Sequence, residues 1–168
     1  MKNLLIRMLV FVALLSVTGC ERDEICLEEI SPKLIIRFYD DKNPALPKQV
    51  INLQVHIEGI DGEYTNETIK TLTDSIALPV LVTANTTRYT LTLLGNEQQG
   101  TEDDPDQFEI QYTMEDEFIS RSCGYRTLYY GVEATLQEDG SNWIKSLVTA
   151  KTPQDITDEK TAHVKIYH

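Results

Sequence analysis

Two short runs of carboxylates are the side chains of this sequence that could most readily carry chemistry. Residues Glu102–Asp106 (EDDPD) could hold Ca²⁺, but they lack the glycine and the terminal glutamate of an EF-hand loop, so they predict a solvated acidic loop. Glu115, Asp116 and Glu117 could supply the carboxylate pair of a glycoside hydrolase. Adjacent carboxylates at a turn are usually exposed, so we predict no catalytic residue in either run.

The histidines and the known catalytic motifs give no stronger signal. His56 and His163 each fall on the polar phase of a predicted strand, which predicts a solvent-facing role rather than metal ligation. The sequence contains no G-x-S-x-G, H-E-x-x-H or G-x-G-x-x-G motif and no phosphate-binding loop. We therefore expect neither an enzyme nor a bound cofactor or metal.

Cysteine is the other reactive residue type, and the chain has three. If Cys20 is modified, as argued below, Cys26 and Cys123 remain for folding, and an exported chain meets an oxidising compartment. We predict a disulfide between them, which would close a loop of nearly the whole domain and stabilise it by about 4 to 5 kcal/mol in the chain-entropy model. The alternative is two buried free thiols.

The first 19 residues have the pattern of a cleaved export signal. Lys2 and Arg7 form a basic start, residues 8–15 are apolar, and small residues precede Cys20. The apolar run is shorter than the roughly 20 residues that a helix needs to span a bilayer. The ending resembles the lipobox of bacterial lipoproteins, which implies that Cys20 becomes the lipidated first residue. The alternative is an ordinary signal peptide with a chance cysteine.

The charge of the chain bears on its partners. Two of the 15 basic residues lie in the signal, so the mature chain carries 13 basic and 27 acidic residues, a formal net charge of −14. This charge repels nucleic acid and anionic lipid head groups, so we expect no nucleic-acid partner and a membrane contact through acyl chains.

The residues after Cys20 bear on location. The run Glu21–Glu24 (ERDE) resembles the export tag that sends some Gram-negative lipoproteins to the outer leaflet, and a solvated tether explains it equally well. We expect an outer-membrane lipoprotein of the cell envelope. Residues 1–19 are then the signal peptide, 20–32 the lipidated N-terminus and tether, and 33–168 the folded domain.

The body of the chain has the alternation of successive β-strands. Pro79 predicts an edge or bulged position for its strand, because proline removes a ladder donor. Seven or eight strands without a helical period predict an antiparallel β-sandwich of immunoglobulin-like type. The predicted strands are 33–39, 49–57, 76–82, 87–94, 108–114, 118–136, 143–150 and 161–167, with 64–70 as an ambiguous edge strand.

Three further local features follow from the pattern. Residues 108–136 are predicted as two long strands joined by a turn at Glu115–Glu117, with Gly124 marking a bulge. Residues 95–107 have no apolar side chain and are predicted as a mobile loop. The in-phase positions of the cleanest strands predict one shared core: Ile51, Leu53, Val55, Tyr89, Leu91, Leu93, Val164 and Ile166.

Aromatic residues gather in the last third of the chain. If one sheet face exposes them, they could stack on sugar rings or anchor a protein partner; if buried, they are core. The candidate binding patch consists of Tyr125, Tyr129, Trp143 and Tyr167, with Tyr130 nearby. Separately, Asp74-Ser75-Ile76 resembles a short motif that some bacteria glycosylate in exported proteins, which makes Ser75 a candidate modification site.

Several short motifs resemble those of a family of small lipoproteins of unknown function from Gram-negative bacteria. They are Leu78-Pro79, Phe118-Ile119-Ser120, Cys123-Gly124-Tyr125 and His163–Tyr167 (HVKIY). The resemblance covers most of the mature chain, and Cys26 matches the family's other cysteine. It implies an exported, lipid-anchored β domain without an assigned activity.

Two function classes remain. We favour a non-catalytic, lipid-anchored envelope module that binds a protein partner or a glycan or serves a structural role. The alternative is an envelope hydrolase that acts on polysaccharide or peptidoglycan through acidic residues. A hydrolase needs two carboxylates about 5 to 10 Å apart in a concave site, whereas a binding module needs only an exposed aromatic or apolar patch.

Overall fold

The computed structural model describes residue 26 and residues 31–59, 67–69, 71–95, 102–150 and 155–168. The predicted signal peptide, Cys20 and most of the predicted tether lie outside these residues. Within the described ranges, no helix is long and apolar enough to cross a bilayer. The same ranges contain nine strands: β1 Leu34–Tyr39, β2 Leu53–Ile57, β3 Glu67–Ile69, β4 Ser75–Leu78, β5 Thr86–Leu93, β6 Asp104–Ser120, β7 Gly124–Gln137, β8 Ser146–Thr149 and β9 Val164–Tyr167.

The strands form two sheets that bury their apolar faces against each other. One sheet has the order β4-β1-β9-β8 and the other the order β3-β2-β5-β6-β7. Burial alternates along the strands, as in β1, where Leu34, Ile36 and Phe38 are fully buried and the residues between them are not. The predicted β-sandwich is confirmed, and β4, which Pro79 follows, lies at a sheet edge as predicted.

One strand pairing differs from the prediction. β1 pairs with β9 in parallel, with Ile36 opposite Val164 and Phe38 opposite Ile166, so the first sheet is mixed. Side chains alternate with the same period in parallel and antiparallel strands, so the sequence pattern carries no information on direction.

Most of the predicted core is confirmed, and one member is wrong. Leu93 is partly buried and packs at the margin of the core. Ile51 is 50% exposed, because Asn52 adopts a left-handed backbone (φ 52°) that interrupts the alternation just before β2 begins. The confirmed, buried members are Leu53, Val55, Tyr89, Leu91, Val164 and Ile166.

The β6–β7 hairpin is longer than predicted. β6 runs on to Ser120, so the turn predicted at Glu115–Glu117 is wrong and the chain reverses at residues 121–123. The acidic residues fit inside a strand because their cross-strand partners are complementary. Glu117 accepts a hydrogen bond from Arg126 (2.7 Å), and Asp116 accepts one from Thr127 (2.9 Å). Since β5 pairs with β6 only up to Gln111, the hairpin beyond it projects as a two-stranded ribbon.

Two glycines of β7 have left-handed backbones beside the register shifts of the hairpin. Gly124 (φ 73°) lies next to the turn, where the pairing shifts between Phe118 and Ser120. Gly131 (φ 60°) lies at the other shift. It changes the phase of β7 so that both Tyr129 and Val132 face the core. The irregularity predicted at Gly124 is present, but the change of phase occurs at Gly131.

The loop predicted over residues 95–107 is wrong at its end, because residues 104–107 begin β6. Asp106 is 1% exposed and accepts hydrogen bonds from the Ile144 amide (2.7 Å) and the Asn142 side chain (3.0 Å). Burial raises the pKa of the Asp106 carboxyl, and these bonds oppose that rise. Asp106 thereby fixes the segment that leads into β8. This strand begins at Ser146 rather than at the predicted Trp143.

Three buried tyrosines close the core where the ribbon leaves the sandwich. The hydroxyls of Tyr89, Tyr112 and Tyr129 donate to the consecutive carbonyls of Pro79, Leu81 and Val80, at 2.9, 2.7 and 3.2 Å. Thr87 adds a fourth contact, because its hydroxyl accepts from the Leu81 amide and lies 2.8 Å from the Tyr112 hydroxyl. Burial raises the pKa of all three phenols, that of Tyr129 to about 12.

β7 is the last strand of its sheet, yet four of its outward amides donate hydrogen bonds to residues outside that sheet. Their acceptors come from the segment before β1, the end of β8 and the segment before β9, so the two sheets are joined along this side. The contacts are Thr127 N to Ser31 Oγ (3.3 Å), Tyr129 N to Ile156 O (3.2 Å), Gly131 N to Asp155 Oδ1 (2.9 Å) and Ala134 N to Thr149 Oγ1 (3.0 Å).

Candidate functional site

The predicted aromatic patch does not form one surface. Tyr129 is fully buried and Trp143 is 8% exposed, with its indole N–H donated to the Leu91 carbonyl (3.2 Å), so both belong to the core and their assignment to a patch was wrong. Tyr125 lies on the projecting ribbon and Tyr167 on the outer face of the four-stranded sheet. The remaining aromatic surface therefore belongs to two separate places.

The first place is a groove of about 560 Å³ on the outer face of the β4-β1-β9-β8 sheet. Its floor consists of outward residues of β1 and β9, and one wall is the segment that leads into β9. We call it the outer-face groove. Its lining residues are Ile35, Arg37, Tyr39, Ser75, Ala150, Glu159, Lys160, Thr161, Ala162 and Lys165.

Two cations lie side by side on the floor of this groove. Arg37 of β1 is directly opposite Lys165 of β9, and both point outward between buried neighbours. Neither forms an ion pair with any residue that the structure describes. Like charges directly opposite each other on neighbouring strands repel, so this pair is unfavourable without a counter-charge.

Aromatic rings lie beside the two cations. The rings of Tyr39 and Tyr167 are 5.6 Å apart, and the Lys165 ammonium lies 5.6 Å from the centre of the Tyr39 ring. These residues come from strands at opposite ends of the sequence. The parallel β1–β9 pairing brings them together, and that pairing is the feature that sequence alternation could not predict.

Three further polar side chains of the groove have partners within the protein. The Glu159 carboxylate accepts a hydrogen bond from the Lys33 amide (2.8 Å), and Lys160 lies 3.8 Å from Asp158. The Ser75 hydroxyl donates to the Ile36 carbonyl (3.1 Å). The candidate glycosylation site at Ser75 therefore lies in the groove, where its hydroxyl has a partner within the sheet.

His163 attaches the groove wall to its floor. Its side chain is 4% exposed, so the predicted solvent-facing role is wrong, while His56 is half-buried on β2. The His163 Nδ1 atom accepts a hydrogen bond from the Ile35 amide (2.9 Å), so it must be unprotonated. Burial lowers the pKa of this imidazole, with the nearby Asp158 opposing that shift.

The second place is the end of the ribbon, residues Phe118–Tyr125, which we call the hairpin tip. Phe118 and Tyr125 are cross-strand partners, 55% and 63% exposed, with ring centres 5.3 Å apart. The predicted disulfide is present here: Cys26 is bonded to Cys123, with Cα atoms 4.9 Å apart. It spans 97 residues, so it constrains the unfolded chain strongly.

The acidic runs that opened the sequence analysis take other roles. Glu115, Asp116 and Glu117 are exposed along the ribbon, whereas the run at 102–106 divides between exposed residues and the buried Asp106. No group of three His, Cys, Asp or Glu side chains that could hold a metal ion occurs in the part of the chain that the structure describes.

The fold and these surfaces can be set against known proteins. Residues 52–168 match a family described as a family of unknown function (DUF6452). The chain belongs to this family. No curated protein and no solved structure matches it. The matched range includes Ser75, Cys123 and Lys165, whereas Arg37 and Cys26 precede it. An uncharacterised family agrees with the predicted resemblance.

The His163 bond predicts how the domain responds to acid. In the unfolded chain the imidazole titrates near 6.5, and burial lowers its folded pKa. The unfolded state therefore binds more protons between the folded pKa and 6.5, so the free energy of unfolding falls as pH decreases through that window. Replacing His163 by alanine removes the acceptor of the Ile35 amide and should cost about 1 to 3 kcal/mol at pH 8 in denaturant titrations.

His163→Asn is the matched control, because its side-chain oxygen can replace Nδ1 without titrating. This variant should recover much of the alanine loss at pH 8 and lose less stability than wild type on acidification. His168, whose pKa burial also lowers, is unchanged in both variants and contributes equally. An acid response of His163→Asn as steep as that of wild type would contradict the assignment.

Proposed function

We propose that this protein is a lipid-anchored, non-catalytic module of a bacterial cell envelope that binds an acidic glycan in its outer-face groove. The order of basic, apolar and small residues before Cys20 supports the anchor. The pairing of Arg37 with Lys165 is the observation that carries the binding role.

The energetics of this pair favour an anionic ligand. The chain has 27 acidic residues and 15 basic ones, so carboxylates that could neutralise a cation pair are abundant. Among the residues that the structure describes, no carboxylate nevertheless forms an ion pair with either of the two cations. A ligand carboxylate placed there would form charge-assisted hydrogen bonds, worth about 1.5 to 3 kcal/mol each, and would offset the repulsion.

The shape and the aromatic lining favour a glycan. Pockets of roughly 300 to 1,000 Å³ take small or segmental ligands, whereas protein interfaces need a contact of about 1,000 Å² or more. In the groove, the Tyr39 ring lies beside Lys165, so one sugar unit can stack on the ring while its carboxylate meets the cations. A uronic-acid polysaccharide has both features.

The single carboxylate among the described lining residues of the groove supports binding rather than hydrolysis. Glycoside hydrolysis uses two carboxyl groups that flank the bond to be broken. Glu159 is the carboxylate among the lining residues, and it accepts a hydrogen bond from the Lys33 amide in the wall. Its environment fits a structural role.

The anchor predicts a simple fractionation result. Wild type should stay with membranes through a high-salt wash, because acyl chains do not depend on ionic strength, and Cys20→Ser should be released. Cys26→Ser is the matched control, because it removes the disulfide but keeps the lipid site, and it should remain bound. Complete sedimentation of washed Cys20→Ser with membranes would overturn the anchor.

The groove predicts selective binding of polygalacturonate over neutral dextran of the same length by the full, lipid-anchored chain in detergent micelles. Arg37→Gln and Lys165→Gln should each weaken that binding about tenfold, since each removes a charge-assisted contact. Arg88→Gln is the matched control, because Arg88 pairs with Glu58 and Glu109 on the other sheet, and its affinity should match wild type.

Three outcomes would count against this function. Equal binding of dextran and polygalacturonate would show that charge does not select the ligand. Equal losses of affinity in Arg37→Gln and Arg88→Gln would show that the ligand does not bind in the groove. New reducing ends formed during incubation with the polysaccharide would favour the hydrolase instead.

A further inference from the structure

The hairpin tip presents aromatic surface to solvent at a fixed place. More than half of the Phe118 and Tyr125 side chains is exposed, and the rings pack edge to face against each other. Strand pairing holds the pair, and the Cys26–Cys123 disulfide is attached at the adjoining turn. Rings that are already ordered lose little conformational entropy when they bind, so this surface is suited to contact.

The charge of the tip differs from that of the rest of the chain. Its eight residues (FISRSCGY) contain one arginine and no carboxylate, in a protein with a formal net charge of −12. The carboxylate that precedes it, Glu117, is 2.6 Å from the Arg126 guanidinium. The eight residues of the tip therefore lack the negative charge by which anionic phospholipid head groups repel the remaining acidic surface.

The disulfide also sets the distance from the tip to the predicted lipid. Cys26 follows Cys20 by six positions, and an extended chain of that length reaches roughly 22 Å at most. The Cys26 and Cys123 Cα atoms are 4.9 Å apart, and Tyr125 is two residues further on. A tether this short gives the tip an effective concentration at the bilayer on the order of millimolar, so even a weak surface affinity is sufficient.

We infer that the hairpin tip rests in the head-group region of the bilayer, with Phe118 and Tyr125 as interfacial anchors beside the lipid on Cys20. This inference rests on the proposed lipidation of Cys20. Aromatic rings with a polar edge, such as that of Tyr125, prefer this region of a membrane. The contact fixes which end of the sandwich faces the membrane.

Tryptophan reporters in the full, lipidated chain test this contact. Phe118→Trp and Leu46→Trp form a matched pair, because both parent side chains are 55% exposed. Leu46 lies in the loop after β1, whereas Ser31, just before β1, bonds the ribbon, so the two reporters occupy opposite ends of the sandwich. The wild-type signal of buried Trp143 is subtracted, and Tyr125→Trp serves as a second reporter at the tip.

Each protein is reconstituted into phosphatidylcholine vesicles with and without brominated acyl chains, and only the vesicle fraction that floats is measured. Bromine should lower the emission of Phe118→Trp about twofold and leave Leu46→Trp unchanged, as expected for an interfacial tip.

Floating protein with unquenched reporters at both tip positions would overturn this inference alone. Protein that fails to float would overturn the anchor and the inference together. Quenching or a blue shift could instead increase with the protein concentration and not with the lipid concentration. That result would show that the tip contacts a second copy of this chain, and it would overturn the membrane contact.

Discussion

The hydrogen bonds along the outward edge of β7 are the constraint on which the rest of the structure depends. A terminal strand normally leaves a row of unpaired amides, which is unfavourable and invites aggregation. Here the acceptors are Ser31, Thr149, Asp155 and Ile156, which lie at the end of β8 or beside strands of the opposite sheet. The same contacts hold the ribbon that carries the hairpin tip and the segment that continues into the groove wall. Both candidate surfaces are thereby fixed relative to one another.

Alternation and cysteine counting predicted much of this fold. Period-2 patterns located the strands because a half-buried strand must alternate, and the two cysteines that remain after Cys20 predicted the disulfide that the structure contains. Local patterns failed where a distant partner decides burial. Asp106 reads as part of a solvated loop, yet it is buried because Ile144, 38 positions away, donates to it. His163 reads as exposed, yet it is buried against Ile35, 128 positions away. A polar group enters a core only when such a partner is present.

The residues that form the two candidate surfaces could not be predicted from the sequence, for related reasons. Tyr129 and Trp143 were predicted as members of a binding patch because they are aromatic. Their polar atoms donate hydrogen bonds to the carbonyls of Val80 and Leu91, so both residues belong to the core. The Arg37–Lys165 pair requires a parallel contact between the first and last strands described, which alternation does not encode. The exposed partner of Tyr125 is Phe118, which the predicted turn at residues 115–117 had separated from its strand. Register and strand direction, rather than composition, therefore determine where the two candidate surfaces form.

The joining of the two sheets along β7 is tested most directly by hydrogen exchange of individual amides, followed by NMR on the full protein. The amides of Thr127, Tyr129, Gly131 and Ala134 point away from β6, and each donates to a residue outside its own sheet. They should exchange as slowly as the amides of Tyr89 and Leu91 in the buried strand β5. Exchange of all four at the rate of the amides of Ala45 and Gln49, which are exposed in the loop after β1, would show that the edge is open. That result would contradict a structure in which one set of contacts fixes both the groove and the hairpin tip.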